Sequence, residues 1–271
     1  MGLAPFPPVS PIIAQGTARS SRADVIDIEA AGPLIELMAK ALAWLFTSAA
    51  LAVVLGFALV SLGIVTVPPA YHPWTPLNPR EKPNFLTRYK LTRLERDAAE
   101  CAAVLRLGEV AYTPVPNQIT GEGCGFDNAV RVSRAGAAFD NGVVATCPLA
   151  VAWTLFDAHV LQPSAQRYFG QGVARVVHAG SYACRNINHR VGGRRSEHAT
   201  ANALDVTGFV LADGTRVTVL QDWRDGGRGA AFLRDLRADG CRFFDVVLSP
   251  DFNEAHRDHF HFDMGRFRAC R

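Results

Sequence analysis

His198-Ala-Thr-Ala-Asn-Ala-Leu-Asp205-Val-Thr-Gly-Phe-Val-Leu211 is the stretch on which the fold of this chain turns. Residues 203–211 read as a strand, bounded by turn-forming residues. Ala212-Asp-Gly214 supplies the turn, and Thr215–Leu220 returns as the second arm of a hairpin. Asp205 falls inside the first arm and His198 in the loop before it. A second stretch, His256-Arg-Asp-His-Phe-His261, is read with it. Residues 259–262 are a short strand, and alternate side chains of a strand share a face, so His259 and His261 point the same way.

Working outward, residues 172–179 and 243–248 are further strands, and Asn186–Ser196 is a polar loop holding Arg190, Arg194 and Arg195. Leu91–Leu107 is predicted to be one amphipathic helix, with Leu91, Leu94, Ala98, Cys101, Ala102 and Leu105 on its apolar face. Residues 110–115 are a strand and 121–128 a glycine-bearing loop around Cys124. Cys147–Leu161 is predicted to be a buried helix with Pro163 just past its end, and residues 230–238 a short helix stopped at Gly240. Strands and helices in this mixture give an α+β fold with a largely antiparallel sheet and flanking helices.

The chain has 271 residues, 49% hydrophobic and 20% charged, enough apolar surface to exclude wholesale disorder. A net charge of +3 is too small to argue for a nucleic-acid partner. The hydrophobicity is concentrated in residues 41–67, which carry no charge. About 20 apolar residues suffice to cross a bilayer, so this segment is a transmembrane anchor, too long for the apolar region of a cleaved signal peptide. Lys40 before it and Arg80 and Lys82 after it leave orientation undecided by charge. Met38-Ala-Lys40 could itself be a start, with residues 1–40 otherwise a plain N-terminal tail. Pro68, Pro69, Pro73, Pro76, Pro79 and Pro83 make residues 68–84 a stiff spacer that would hold the following domain off the membrane. Residues 85–271 are then one domain. All six cysteines follow the apolar segment and none forms a CxxC pair, which suggests three disulfides in an exported domain. Of the fifteen pairings, Cys101 with Cys124 is the most local.

His198, Asp205 and His261 together offer two imidazoles and one carboxylate, a zinc set that leaves a fourth coordination position open. A closed structural site would use four ligands rich in cysteine. Each half alone is weak evidence, since an H-x-H pair also arises from ordinary strand alternation and a single aspartate from a turn. His159 and His178 are expected to be ordinary packed histidines, and His72 and His189 to face solvent.

Ser196-Glu-His198-x-x-Ala201-x-Ala203-x-Asp205, followed by Asp258-His259-Phe-His261, resembles the zinc-site signature of the LAS-type peptidases, the group of D-alanyl-D-alanine carboxypeptidases, dipeptidases and murein endopeptidases. With Ser181-Tyr-Ala-Cys-Arg185, Phe232-Leu and Asn253-Glu-Ala-His256, the pattern over about residues 90–271 resembles more closely the bacterial extensin-like C-terminal family. The resemblance implies a LAS/hedgehog-like domain in which His198, Asp205 and His261 ligate Zn2+. It also implies a base near the third ligand, from Asp258, His259 or His256, and an oxyanion contact from Arg185. Asp258 stands where many of those enzymes have Glu, one methylene longer. Ala201 stands where they usually have Gly, so its Cβ is expected to crowd the backbone there.

The resulting expectation is a single-pass inner-membrane protein whose C-terminal domain faces the periplasm and hydrolyses an amide bond in peptidoglycan. A non-catalytic zinc-containing wall-binding module is the alternative, and a disulfide-stapled structural protein with merely packed histidines a third.

Overall fold

The computed structural model describes residues 28–271, with side chains from Gly32 onward; the tail expected for residues 1–40 lies outside them up to residue 27. The chain divides into two compact units at Thr66/Val67. In the first, helix α1 spans Ile28–Ser61. Its stretch Gly32–Ser61 has a mean hydropathy of 2.2 and is long and apolar enough to cross a membrane. It begins earlier than the uncharged run because Leu34, Ile35, Leu37 and Met38 continue the apolar character. Glu36 and Lys40, four residues apart, pair with each other at 2.8 Å.

In the second unit, residues 68–84 do not stand off as a free spacer. Leu77 is buried. The backbone carbonyls of Pro69, Pro73 and Pro79 accept from Lys90 Nζ at 3.1 Å, Arg93 Nη1 at 2.8 Å and the His159 ring at 2.9 Å. Proline removes donors but leaves carbonyls free, and the domain supplies the N–H groups that meet them.

The single helix expected over 91–107 is two, α2 Thr87–Arg93 and α3 Ala98–Leu107. Asp97 breaks them by capping α3, its carboxylate accepting from the Glu100 N–H at 2.8 Å. Then come β1 Ala111–Val115, a separate hairpin of β2 Gln118–Gly121 and β3 Cys124–Phe126, and the long pair β4 Ala129–Ala135 and β5 Ala137–Thr146. Helix α4, Cys147–Phe156, is buried along its whole length. It does not stop before Pro163. A widened turn over Asp157–Leu161 carries it into α5, Gln162–Phe169, where Pro163 occupies the first turn and needs no N–H partner.

Strand β6 is Val173–Gly180 and β7 Ala203–Leu211, followed by β8 Arg216–Thr218, the short α6 Val219–Asp222 and α7 Arg228–Gly240. β9 Val246–Leu248, β10 Phe260–Asp263 and β11 Ala269–Cys270 complete the sheet. The nine strands run β1-β4-β5-β6-β7-β10-β9-β11, with β8 also on β7; only the β5–β6 and β9–β11 pairs are parallel.

One face of the sheet is packed by the helices. Phe260 and Phe262 of β10 point into it, where Trp153, Phe156, Phe244 and Phe262 lie 4.8–6.3 Å apart, ring to ring. Alternation therefore turns His261 to the opposite face, and Asp205, between core residues Leu204 and Val206, turns there too.

The disulfides are Cys101–Cys147, Cys124–Cys184 and Cys241–Cys270. The local pairing of Cys101 with Cys124 is overturned. Cys101 faces the start of α4 across the helix layer, while Cys124 sits on the separate hairpin and pins it to the segment after β6.

Candidate metal centre

Register places the first two groups. His261 and Asp205 are directly opposed residues of the antiparallel β10–β7 pair, and opposed Cβ atoms lie about 4.5–5.5 Å apart. His198 arrives from the short turn Glu197–Thr200 ahead of β7, capped by the Ser196 hydroxyl. That turn closes with Ala201 at φ +54°, in the left-handed region. The expected crowding does not arise: the methyl packs in a small cluster with Phe126 and Ala129.

His198 Nε2 lies 3.1 Å from His261 Nδ1 and 3.1 Å from Asp205 Oδ2, and His261 Nδ1 lies 2.9 Å from Asp205 Oδ1. The outer ring nitrogens fix what these atoms are. His198 Nδ1–H donates to the Ser181 carbonyl at 2.6 Å, and His261 Nε2–H donates to Asp263 Oδ2 at 2.9 Å. In neutral rings both inward nitrogens therefore carry lone pairs, facing two carboxylate oxygens. Four acceptors converge with no donor among them, which is unstable without a cation. Tetrahedral zinc with ligand bonds of 2.0–2.1 Å sets its donors about 3.3 Å apart, so this triangle needs to widen by only a few tenths of an ångström. His198 and His261 are buried and Asp205 is partly open.

Electrostatics agree with the geometry. Burial disfavours the Asp205 carboxylate, but bonds to His198 and His261 outweigh it and hold Asp205 well below the usual carboxylate range. Burial likewise opposes a charge on His261, yet Asp205 and Asp263 lift its ring to about 9. The pocket favours positive charge, whether proton or metal.

The other expected residues ring the open side. His259 Nε2 is 3.7 Å from Asp205 Oδ1, and its Nδ1–H donates to Asp258 Oδ1 at 2.8 Å. Asp258 thus orients His259. His256 stacks beside His259, ring centroids 5.2 Å apart, with Nδ1 on Asn253 Oδ1 at 2.7 Å. Burial first, then His259 and His261, push it down to about 4, so it is neutral at pH 7. Arg185 Nη2 stands 3.9 Å from Asp205 Oδ2; the Cys124–Cys184 disulfide fixes the adjoining backbone. Arg195 is committed elsewhere, donating twice to the Glu122 carbonyl, and Arg194 lies over the Phe267 ring at 4.5 Å. His178 and His159 bond backbone carbonyls, as expected of packed histidines.

Sequence reasoning gave no role to Asp263 or Ser181. Asp263 was findable, since in His261-Phe-Asp263 the outer residues share a strand face. The Ser181 contact is a backbone carbonyl and leaves no mark on residue type.

A family model described as Extensin-like protein C-terminus matches residues 99–271. No curated protein matches the chain, and no solved structure does.

Proposed function

The chain belongs to the extensin-like C-terminal family, and we propose from that premise that it is a membrane-anchored zinc metallopeptidase acting on an amide bond of peptidoglycan stem peptides or cross-links. The observation that carries the metal is the triangle of acceptors at His198 Nε2, His261 Nδ1 and Asp205, each imidazole turned by an outward N–H bond. The likeness of the His-x6-Asp and His-x-His pattern to LAS-type peptidases supports the reaction class and the LAS-like reading of the fold. One membrane-capable helix and three disulfides in the following unit support a periplasmic setting.

Zinc supplies Lewis acidity toward a carbonyl and acidifies water at neutral pH. The residues do the rest. His198 and His261 are held in one tautomer by Ser181 and Asp263, so neither must rotate to bind. His259, steered by Asp258, is the proton acceptor at the rim and returns the proton to the leaving amine. Arg185 meets the developing oxyanion from the other side of Asp205. His256, neutral and half-buried, walls His259.

Muropeptides incubated with the zinc-loaded chain test the reading. His259→Ala should keep its zinc and lose about 10²–10⁴-fold in turnover. If the wild-type protein with zinc bound releases no fragment, the wall-binding module replaces the peptidase.

A further inference from the structure

Because residues 68–84 are fixed to the domain, the aromatic side chains beside them have fixed places. Trp74 is 72% exposed, Phe85 79% and Tyr71 50%. The Tyr71 and Phe85 rings lie 6.2 Å apart, and Trp74 stands edge-on to His72 at 5.4 Å. Lys82 is exposed in the same segment, as is Arg80, which also pairs with Glu109. Outward aromatics of this size mark a contact surface. Amphipathic rings flanked by basic side chains are the composition of a headgroup layer's partner.

Chain order names the occupant. The apolar run ends at Val67, four residues before Tyr71, and four residues span at most about 14 Å. The headgroup layer beyond the hydrocarbon is about 5–8 Å deep on each side. We propose that the edge formed by Tyr71, Trp74 and Phe85, with Arg80 and Lys82, seats in the headgroup layer of the membrane that the preceding helix enters. It is a second membrane contact that belongs to the domain itself. The proposal rests on the membrane reading of that helix, so its test leaves the helix out.

Residues 67–271 are a compact unit with their own core and three disulfides. They keep Trp74, Trp153 and Trp223, and the last two are 2% and 4% exposed, so a change in tryptophan emission on adding lipid reports Trp74. With phosphatidylcholine vesicles containing one-third phosphatidylglycerol, the unit should co-sediment, and its emission should shift to the blue and be quenched by brominated lipid. A Tyr71→Ser, Trp74→Ser, Phe85→Ser triple variant should partition at least about ten-fold more weakly with unchanged circular dichroism, since binding scales with the apolar area inserted. No co-sedimentation, or equal binding by the triple variant, overturns the proposal. Self-association without lipid that the triple variant abolishes also overturns it, assigning the edge to a second copy. Membrane fractionation of the full chain judges the helix separately.

Discussion

Asp263 decides which nitrogen His261 can offer. Removing it frees the ring to flip its tautomer, and such outer partners are worth about 10–100-fold in metal affinity. Asp263→Ala should weaken zinc by that factor in chelator competition while keeping the fold; unchanged affinity would show that the ring is set by packing alone. Asp157 is a different case, a buried carboxyl far from the metal ligands in sequence. Burial pushes it up to about 7, against the Ala137 N–H and the Gln162 amide, which favour the anion. The folded state thus keeps a proton that the unfolded chain loses near 3.8. This contribution to stability is full below about pH 4, declines as pH rises to about 7, and is flat beyond, with a total on the order of 4 kcal/mol. Asp157→Asn removes it, so the Tm of the variant relative to wild type should climb between pH 4 and 7. A pH-independent difference would refute the shift. Ala201→Gly sets two effects against each other: relief of a left-handed alanine, about 1–2 kcal/mol, and loss of a buried methyl, about 0.8 kcal/mol. The net change should be small and stabilising by thermal denaturation; a loss above about 1 kcal/mol would mean the methyl contact dominates. At this scale the three candidate ligands were readable from residue type and order, Asp205 and His261 within strands and His198 in the turn ahead of one. Of the groups that aim them, Asp263 was within reach of the same strand alternation carried one residue past Phe262, whereas the Ser181 carbonyl was not, because a backbone group leaves no mark on residue type.

β7 and β10 were legible as elements, since their apolar and polar residues alternate. β4 and β5 were not. They meet at Ala135-Gly136-Ala137, and alanine and glycine are poor strand formers. What requires glycine there is distant in sequence: a Cβ on Gly136 would fall 1.7 Å from Asp157 Oδ2. The break between α2 and α3 was visible only as Asp97, a cap inside an otherwise continuous apolar stripe. The Cys124–Cys184 disulfide ties the β2–β3 hairpin to the segment bearing Arg185 across 60 residues. In the chain-entropy model such a link contributes about 4 kcal/mol. A Cys124→Ser, Cys184→Ser variant should lose no more than about that in denaturant unfolding. It should retain zinc, whose proposed ligands lie on β7, β10 and the turn before β7, and lose turnover as Arg185 loosens. Loss of zinc instead would place the hairpin in the metal site's own support.

The whole molecule joins a membrane-capable helix to a disulfide-linked zinc-binding candidate, and that order of parts was readable from the uncharged run and the placement of cysteines. The docking of residues 68–84 was not, because proline spacing describes a chain's stiffness and not the donors waiting on Lys90, Arg93 and His159. An exported domain requires a reporter after Arg271 to be active outside the cytoplasm; activity only in the cytoplasm would reverse the topology. Everything proposed for the reaction depends on the metal. Zinc-edge X-ray absorption of purified residues 67–271, with metal content measured on the same sample, therefore tests the account most directly. It should find one zinc per chain, ligated only by nitrogen and oxygen at about 2.0–2.1 Å, and none in His198→Ala. A sulfur shell near 2.3 Å, or zinc undiminished by His198→Ala, would contradict it.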